Sequence, residues 1–146
     1  MNISAKSKYA VRALVELAHH NDGQPVPIAD IASKREIPLQ FLEQLFSSLR
    51  KAGILNSHRG VRGGFSFKML PEDISVLDVV EVLDGNVAPS ACTAGAACDK
   101  IDHCVVKDVW IDMKASVEDV LGAAKIADLA YRESLMQEQV KEMYYI

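Results

Sequence analysis

Cys92, Cys98 and Cys104 are the only cysteines among 146 residues, and their C-x5-C-x5-C spacing gathers three thiols into one short segment. The residues between them are small or polar, Thr-Ala-Gly-Ala-Ala and then Asp-Lys-Ile-Asp-His, and bury little apolar area. A structural cysteine is usually buried singly as a small hydrophobe. Three in a polar segment are instead suited to converge as thiolates on a metal centre. Zinc sites favour closer C-x2–4-C pairs, so five-residue gaps in a Gly/Ala loop point towards a bulkier iron–sulfur cluster. Reversible thiol oxidation is the other chemistry open to these residues. The odd count precludes a complete set of intrachain disulfides, and no apolar N-terminal run suggests export.

Arg59-Gly60-Val61-Arg62-Gly63-Gly64 forms a second chemical constellation. Glycine permits the backbone angles of a tight hairpin. Arginines exposed at a hairpin tip are shaped to grip phosphates or to enter a minor groove. A third set begins just after Pro38: Gln40, Glu43 and Gln44, followed by Ser47, Ser48, Arg50 and Lys51. Gln pairs bidentately with adenine, and Glu accepts from the cytosine amino group. Arg50, Lys51, Lys6 and Lys8 are better suited to phosphates, which position a protein without reading sequence.

The elements that must position these groups are written in the apolar periodicity. Ser4 to His20 has helical spacing, with Tyr9, Ala10, Ala13, Leu14, Leu17 and Ala18 on one face, and Asn21-Asp22-Gly23 ends it. Pro27 opens a short helix over residues 28–33, and Pro38 opens a third that runs to Lys51 and stops at Gly53. Phe41, Leu42, Leu45, Phe46 and Leu49 are its buried positions. Two short helices separated by a tight turn have the form of a DNA-reading helix-turn-helix. A generic three-helix bundle has the same periodicities; the strands expected at residues 54–58 and 64–68 separate the two, because they make the basic hairpin a wing.

Composition agrees with one ordinary globular chain, 49% apolar and 25% charged, with no apolar run long enough to span a bilayer. A cytoplasmic location is expected. The net charge of −4 hides a polarity: residues 1–70 carry ten Lys/Arg against five Asp/Glu, and residues 71–146 carry six against fifteen. A basic half joined to an acidic half points to a polyanion-binding module tethered to something else. No phosphate loop, nucleophile–base motif or HExxH signature argues for an enzyme.

In the acidic half Ser75 and Asp78 have capping-box spacing at the start of a helix that carries Val76, Val79, Val80 and Leu83 and ends at Asp84-Gly85-Asn86. After the cysteines a long amphipathic helix opens near Cys104, with Val105, Val106, Val109, Trp110, Met113, Val117, Val120 and Leu121 as its stripe. A small winged domain offers too little surface to bury such a stripe, and a second copy of the chain would complete it. A final helix is expected over 127–139, with the tail from Met143 to Ile146 left without an assigned structure. The expected fold is mainly α with a small β wing. It divides into a winged helix-turn-helix at 1–70, a connecting helix and linker at 71–91, a cysteine loop at 92–104 and a dimerisation region at 105–146.

These residues resemble a family. The opening Met1-Asn2-Ile3-Ser4-Ala5-Lys6-Ser7-Lys8-Tyr9-Ala10-Val11-Arg12 is similar to that of the Rrf-type (IscR/NsrR-like) bacterial transcription regulators. So are Pro27-Ile-Ala-Asp-Ile-Ala32, Phe41-Leu-Glu-Gln-Leu-Phe46, Leu49-Arg-Lys-Ala-Gly53 and the Arg59-Gly60-x-x-Gly63-Gly64-Phe65 hairpin, so the resemblance covers nearly the whole chain. It implies a homodimer on a palindromic DNA operator, a two-iron or four-iron cluster on Cys92, Cys98 and Cys104, and DNA reading by Gln40, Glu43 and Arg59. Where IscR-like members place a fourth, histidine ligand this chain has Lys107, and where NsrR-like members use an aspartate it has Lys8. A protonated lysine has no lone pair to give. His103, Asp102, Asp99, a partner-chain residue, solvent or a small thiol are then the remaining donors. Other members regulate sulfur metabolism with a protein partner and no cluster, which keeps a cluster-free regulator as the alternative.

Overall fold

The computed structural model describes residues 1–20 and 22–145. Its first three helices are α1 (Ala5–His19), α2 (Ile28–Arg35) and α3 (Leu39–Lys51). Ser4 caps α1 by accepting from the Ser7 amide at 3.4 Å, and the apolar side of the helix puts Ala10, Ala13, Leu14 and Leu17 out of water. The bend after α1 includes Asp22 and Gly23; Asn21 lies outside the described residues. Pro27 and Pro38 each stand one residue before their helix rather than in its first turn. Between α2 and α3 the chain turns through Glu36, whose φ of 54° is the sole positive value of a non-glycine among the described residues. Burial of Leu42, Leu45, Phe46 and Leu49 fixes one side of α3 against α1 and α2 and leaves the other side free.

Gly53, at φ 83°, ends α3, and the Ile54 amide donates back to the Leu49 carbonyl at 3.0 Å. The chain then forms the antiparallel pair β1 (Leu55–His58) and β2 (Gly64–Phe67), with Leu55 opposite Phe67 and His58 opposite Gly64. The free edge of β2 is covered: Phe65 and Val26 exchange both backbone hydrogen bonds, each at 2.9 Å. That close approach requires glycine at 64, where a Cβ would come within 2.2 Å of the Val26 carbonyl oxygen. The hairpin is therefore fastened at its root to the segment that leads into α2. This is a winged helix-turn-helix, mainly helical with one small sheet.

Helix α4 (Val76–Asp84) opens on the capping box expected of Ser75 and Asp78, worth about 1 kcal/mol by the usual cost of losing such a cap. Val79 and Val80 face inward. Residues 85–106 follow as loop and two 3-10 turns, at Ala91–Ala94 and Ile101–His103. Helix α5 spans Lys107–Ala123 and α6 spans Ile126–Tyr144. Val105 and Val106, expected inside the long helix, precede it instead, because Cys104 is extended at φ −90°, ψ 106°. The last helix starts earlier and ends later than the expected 127–139. Lys125 pairs with Ser75, the Ile126 amide donates to the Ile74 carbonyl at 2.9 Å, and the fully buried Ile126 enters the core. At its far end no Gly or Pro intervenes, so Met143 and Tyr144 remain helical. Ile146 lies outside the described residues. Helix α6 runs along α1, which places the last helix against the first. No helix among the described residues is long and apolar enough to cross a membrane.

Candidate nucleic-acid interface and cysteine loop

Because α3 buries every third or fourth residue, its polar side chains share one outward face. Gln40, Glu43, Gln44, Ser47, Ser48 and Lys51 line a single open hollow there. Gln40, Glu43 and Gln44 are exposed, as is Arg50, two turns beyond Glu43. The wing is held to this helix by the edge-to-face contact of Phe46 with Phe65, whose centroids lie 5.1 Å apart. Arg59, Gly60, Val61 and Arg62 form its exposed tip. Gly60 adopts φ 104°, and a Cβ on Gly63 would lie 2.5 Å from the His58 carbonyl oxygen, so both glycines are needed for so tight a turn. His58 Nε2 and Ser66 Oγ, 2.8 Å apart, brace the strands beneath the tip. On α1, Lys8 is exposed, and Lys6 Nζ donates to the Leu83 carbonyl at 3.3 Å.

Cys92 sits in the first 3-10 turn, its Sγ 3.0 Å from Ser90 Oγ. Cys98 is exposed on the connecting loop, and Cys104 is half-buried just past the second turn. All three are free thiols. Cys92 and Thr93 line a cavity of about 220 Å³ with Ile101 and, from α5, Lys107, Ile111 and Lys114. Lys114 Nζ donates to the Thr93 carbonyl at 3.2 Å, which ties α5 to the first cysteine's turn. Among the described residues no three Cys, His, Asp or Glu side chains converge as a metal-holding group, so the three thiols are not gathered into one site. In donor chemistry they suit an iron–sulfur cluster: thiols with access to solvent, on small residues that leave room for a bulky inorganic centre. In number they are one donor short. Lys107 faces the cavity beside Cys92, and His103 is exposed next to Cys104.

Two polar clusters escaped the sequence reading. Asp84, at the end of α4, accepts from the Ser4 amide at 2.9 Å, from the Ser4 hydroxyl, and from Ser7 Oγ at 2.7 Å. Desolvation works against its charge, yet the hydrogen bonds from Ser4 and Ser7 hold its carboxyl below the usual range. The second cluster joins α1, α2 and α6. Arg35 Nε donates to Glu16 at 2.7 Å, while Nη1 and Nη2 donate to the two carboxylate oxygens of Glu133, each at 2.7 Å. Lys34 and His20 also meet Glu16, at 2.8 and 3.0 Å, and His19 meets Glu133 at 2.7 Å. The one sequence signal of the second cluster is Glu16 itself, a carboxylate inside the apolar run from Ala13 to Ala18.

A helix-turn-helix with an exposed polar face on its second helix and an arginine-tipped wing defines a DNA-binding transcription regulator rather than an enzyme. Residues 3–132 match the Rrf2 family, described as iron-dependent transcriptional regulators. The chain belongs to that family. It is 34% identical over 137 residues to the HTH-type transcriptional regulator IscR of Aliivibrio salmonicida, covering 94% of this chain and 82% of that protein. To IscR of Vibrio cholerae it is 34% identical, over 94% of this chain and 79% of the relative. The solved structure of T. potens IscR superposes with a TM-score of 0.73 at 34% identity, covering 91% of this chain and 88% of the other. CymR, the global cysteine regulator of B. subtilis, superposes with a TM-score of 0.77 at 31% identity, covering 90% and 98%.

Proposed function

We propose that the chain is a homodimeric, cytoplasmic repressor that binds a palindromic operator and senses iron supply, oxidation or nitric oxide through an iron–sulfur cluster on Cys92, Cys98 and Cys104. Gln40, Glu43 and Gln44 read base edges from α3, and Arg50, Arg59 and Arg62 take phosphates or the minor groove. Gly60 and Gly63 shape the wing so that its backbone comes close to DNA. The division of labour follows the chain: residues 1–70 bind DNA, 71–91 connect, 92–104 hold the cluster, and 105–146 include the dimer arm.

The observation that carries the sensing function is the placement of three free thiols on the short segment between α4 and α5, with Cys92 directly against α5. When bound, the cluster supplies a centre that oxidants, nitric oxide and iron limitation can destroy. With Lys107 and Lys8 unable to ligate, the fourth donor falls to His103, Asp99, Asp102, the partner chain or an exogenous ligand, and that exchangeable position suits a sensor. Drawing Cys92, Cys98 and Cys104 together reshapes the segment tied to α5 by Lys114 and biases which DNA-binding conformation is populated.

The test is anaerobic purification followed by visible spectroscopy and assays of iron and acid-labile sulfide. A coloured protein with matched iron and sulfide is expected, and Cys92→Ala should lose both together with the response of DNA binding to oxidant. Normal cluster content and an unchanged response in Cys92→Ala would overturn the assignment. The likeness in fold to a global cysteine regulator favours a second reading, a cluster-free regulator of sulfur metabolism governed by a partner protein or by thiol oxidation. A protein that stays colourless after anaerobic reconstitution selects that reading, and differential alkylation before and after peroxide then separates its two branches.

A further inference from the structure

Arg35 is the last residue of α2, and whatever fixes it also fixes the turn that follows. Glu36 takes the left-handed conformation, the Ile37 amide donates back to Ala32 at 2.9 Å, and α3 begins at Leu39. A connection this short carries any rotation of the end of α2 into α3. The Arg35 guanidinium is committed to two carboxylates, Glu16 on α1 and both oxygens of Glu133 on α6. Its side chain is 13% exposed, that of Glu16 only 2% and that of Glu133 30%, so the charge-assisted bond to Glu16 is shielded from water and the fork on Glu133 lies at the edge of the solvent. The Arg35 carbonyl accepts in turn from Arg12 Nη2 at 3.4 Å. The end of α2 is thus held from one side by α1 and from the other by α6.

We infer that Glu133, acting through Arg35, is a positioning residue for DNA reading, so that helix α6 sets the angle at which α3 meets the duplex. Neither residue lies on the α3 reading face or in the wing. The fork of the guanidinium needs paired acceptors, and only an ionised carboxylate at 133 supplies both. Glutamine keeps one acceptor and turns an amide N–H2 against a guanidinium N–H. Helix α6 is anchored to the core upstream of this position, by the buried Ile126 and Ala130, so the fold outlasts the substitution and the change falls on the end of α2. The inference rests on α3 being the reading helix, and its test is built to tell the two apart.

A duplex selected from a random pool by the wild-type protein serves as the specific probe, and a scrambled duplex as the non-specific one. Dissociation constants for both are measured across salt concentrations for the wild type and for Glu133→Gln, with Glu138→Gln, an exposed α6 carboxylate, as control. Glu133→Gln should weaken the selected duplex roughly 2- to 30-fold, the usual range for residues that act through others. Its scrambled-duplex affinity and salt slope should stay unchanged, since the phosphate contacts remain. Glu138→Gln should behave as wild type. An unaltered ratio of selected to scrambled affinity in Glu133→Gln overturns the inference, even if its melting temperature falls. Should that variant not melt cooperatively, Arg35→Lys, which keeps the charge and loses the fork, must show the same fall in ratio, and an unaltered ratio again overturns it. Gln40→Ala and Glu43→Ala are measured alongside. If they too leave the ratio unaltered, α3 is not the reader and both readings fall; if they lower it and Glu133→Gln does not, the positioning role alone fails.

Discussion

Burying a carboxylate among aliphatic side chains is costly unless cations meet it, and Glu16 is met by Lys34, Arg35 and His20. Desolvation pushes its carboxyl up, but the hydrogen bonds from Lys34, Arg35 and His20 more than reverse this and leave it lowered. Glu133 is held lower still: the bonds from Arg35, with help from His19 and against some desolvation, bring it from 4.5 to about 2. A carboxylate whose pKa is depressed by folding stabilises the native state above its unfolded value, and that stability is lost as pH falls through the folded value. Acidification from about pH 4.5 to about pH 2 should therefore lower the melting temperature of the wild type more steeply than that of Glu133→Gln. Parallel curves would show that the pair contributes nothing to acid sensitivity. Glu16 stands out in the sequence as a break in the α1 pattern, but its partners do not. Arg35 and Glu133 lie 19 and 117 positions away, and only the packing of three helices brings them together. For the cysteines, residue type and spacing were plain and the arrangement was not: thiols on a segment of loop and short 3-10 turns are not ordered by periodicity.

Helix α3 and the wing were readable as elements because apolar period and glycine placement dictate them locally. The shared face of Gln40, Glu43 and Gln44 follows from the same period, whereas the fastening of Gly64 against Val26 pairs residues far apart in sequence and has no local signature. Helix α5 is the element whose surroundings differ most from those of its neighbours. None of its residues is buried, and Val109, Met113 and Val120 are 57%, 39% and 70% exposed. Met113, Val117 and Val120 follow one another along a single helical stripe, as a helix that closes against a second copy requires. If the proposed dimer closes through this stripe, the double substitution Met113→Glu/Val120→Glu should leave a monomer in sedimentation equilibrium while helical content stays near wild type. A persistent dimer would place the interface elsewhere.

At the scale of the molecule, the first and last helices share one core. Ile126 is fully buried with Leu14, Leu42 and Phe46, and α6 lies along α1. Removing a fully buried aliphatic side chain typically costs about 2–5 kcal/mol, and losing the whole of α6 removes Ile126, Ala130 and the Arg35 clamp together. A chain ending at Ala123 should lose its cooperative melting transition and its preference for the selected duplex; retention of both would show that residues 1–123 form a complete unit. The charge polarity of the sequence was legible, but the role of α6 as a wall of the basic half was not, since nothing local marks Ile126 as the residue that enters the N-terminal core.

That closure has a consequence for the order of events at the ribosome. Synthesis runs from the N-terminus at roughly 5–20 residues per second, and every side chain on the α3 face and wing tip has been made by residue 62. The helix that completes the core beneath them starts only at residue 126. The nascent chain thus carries the side chains of the α3 face and wing tip for several seconds before the helix that completes their core is made.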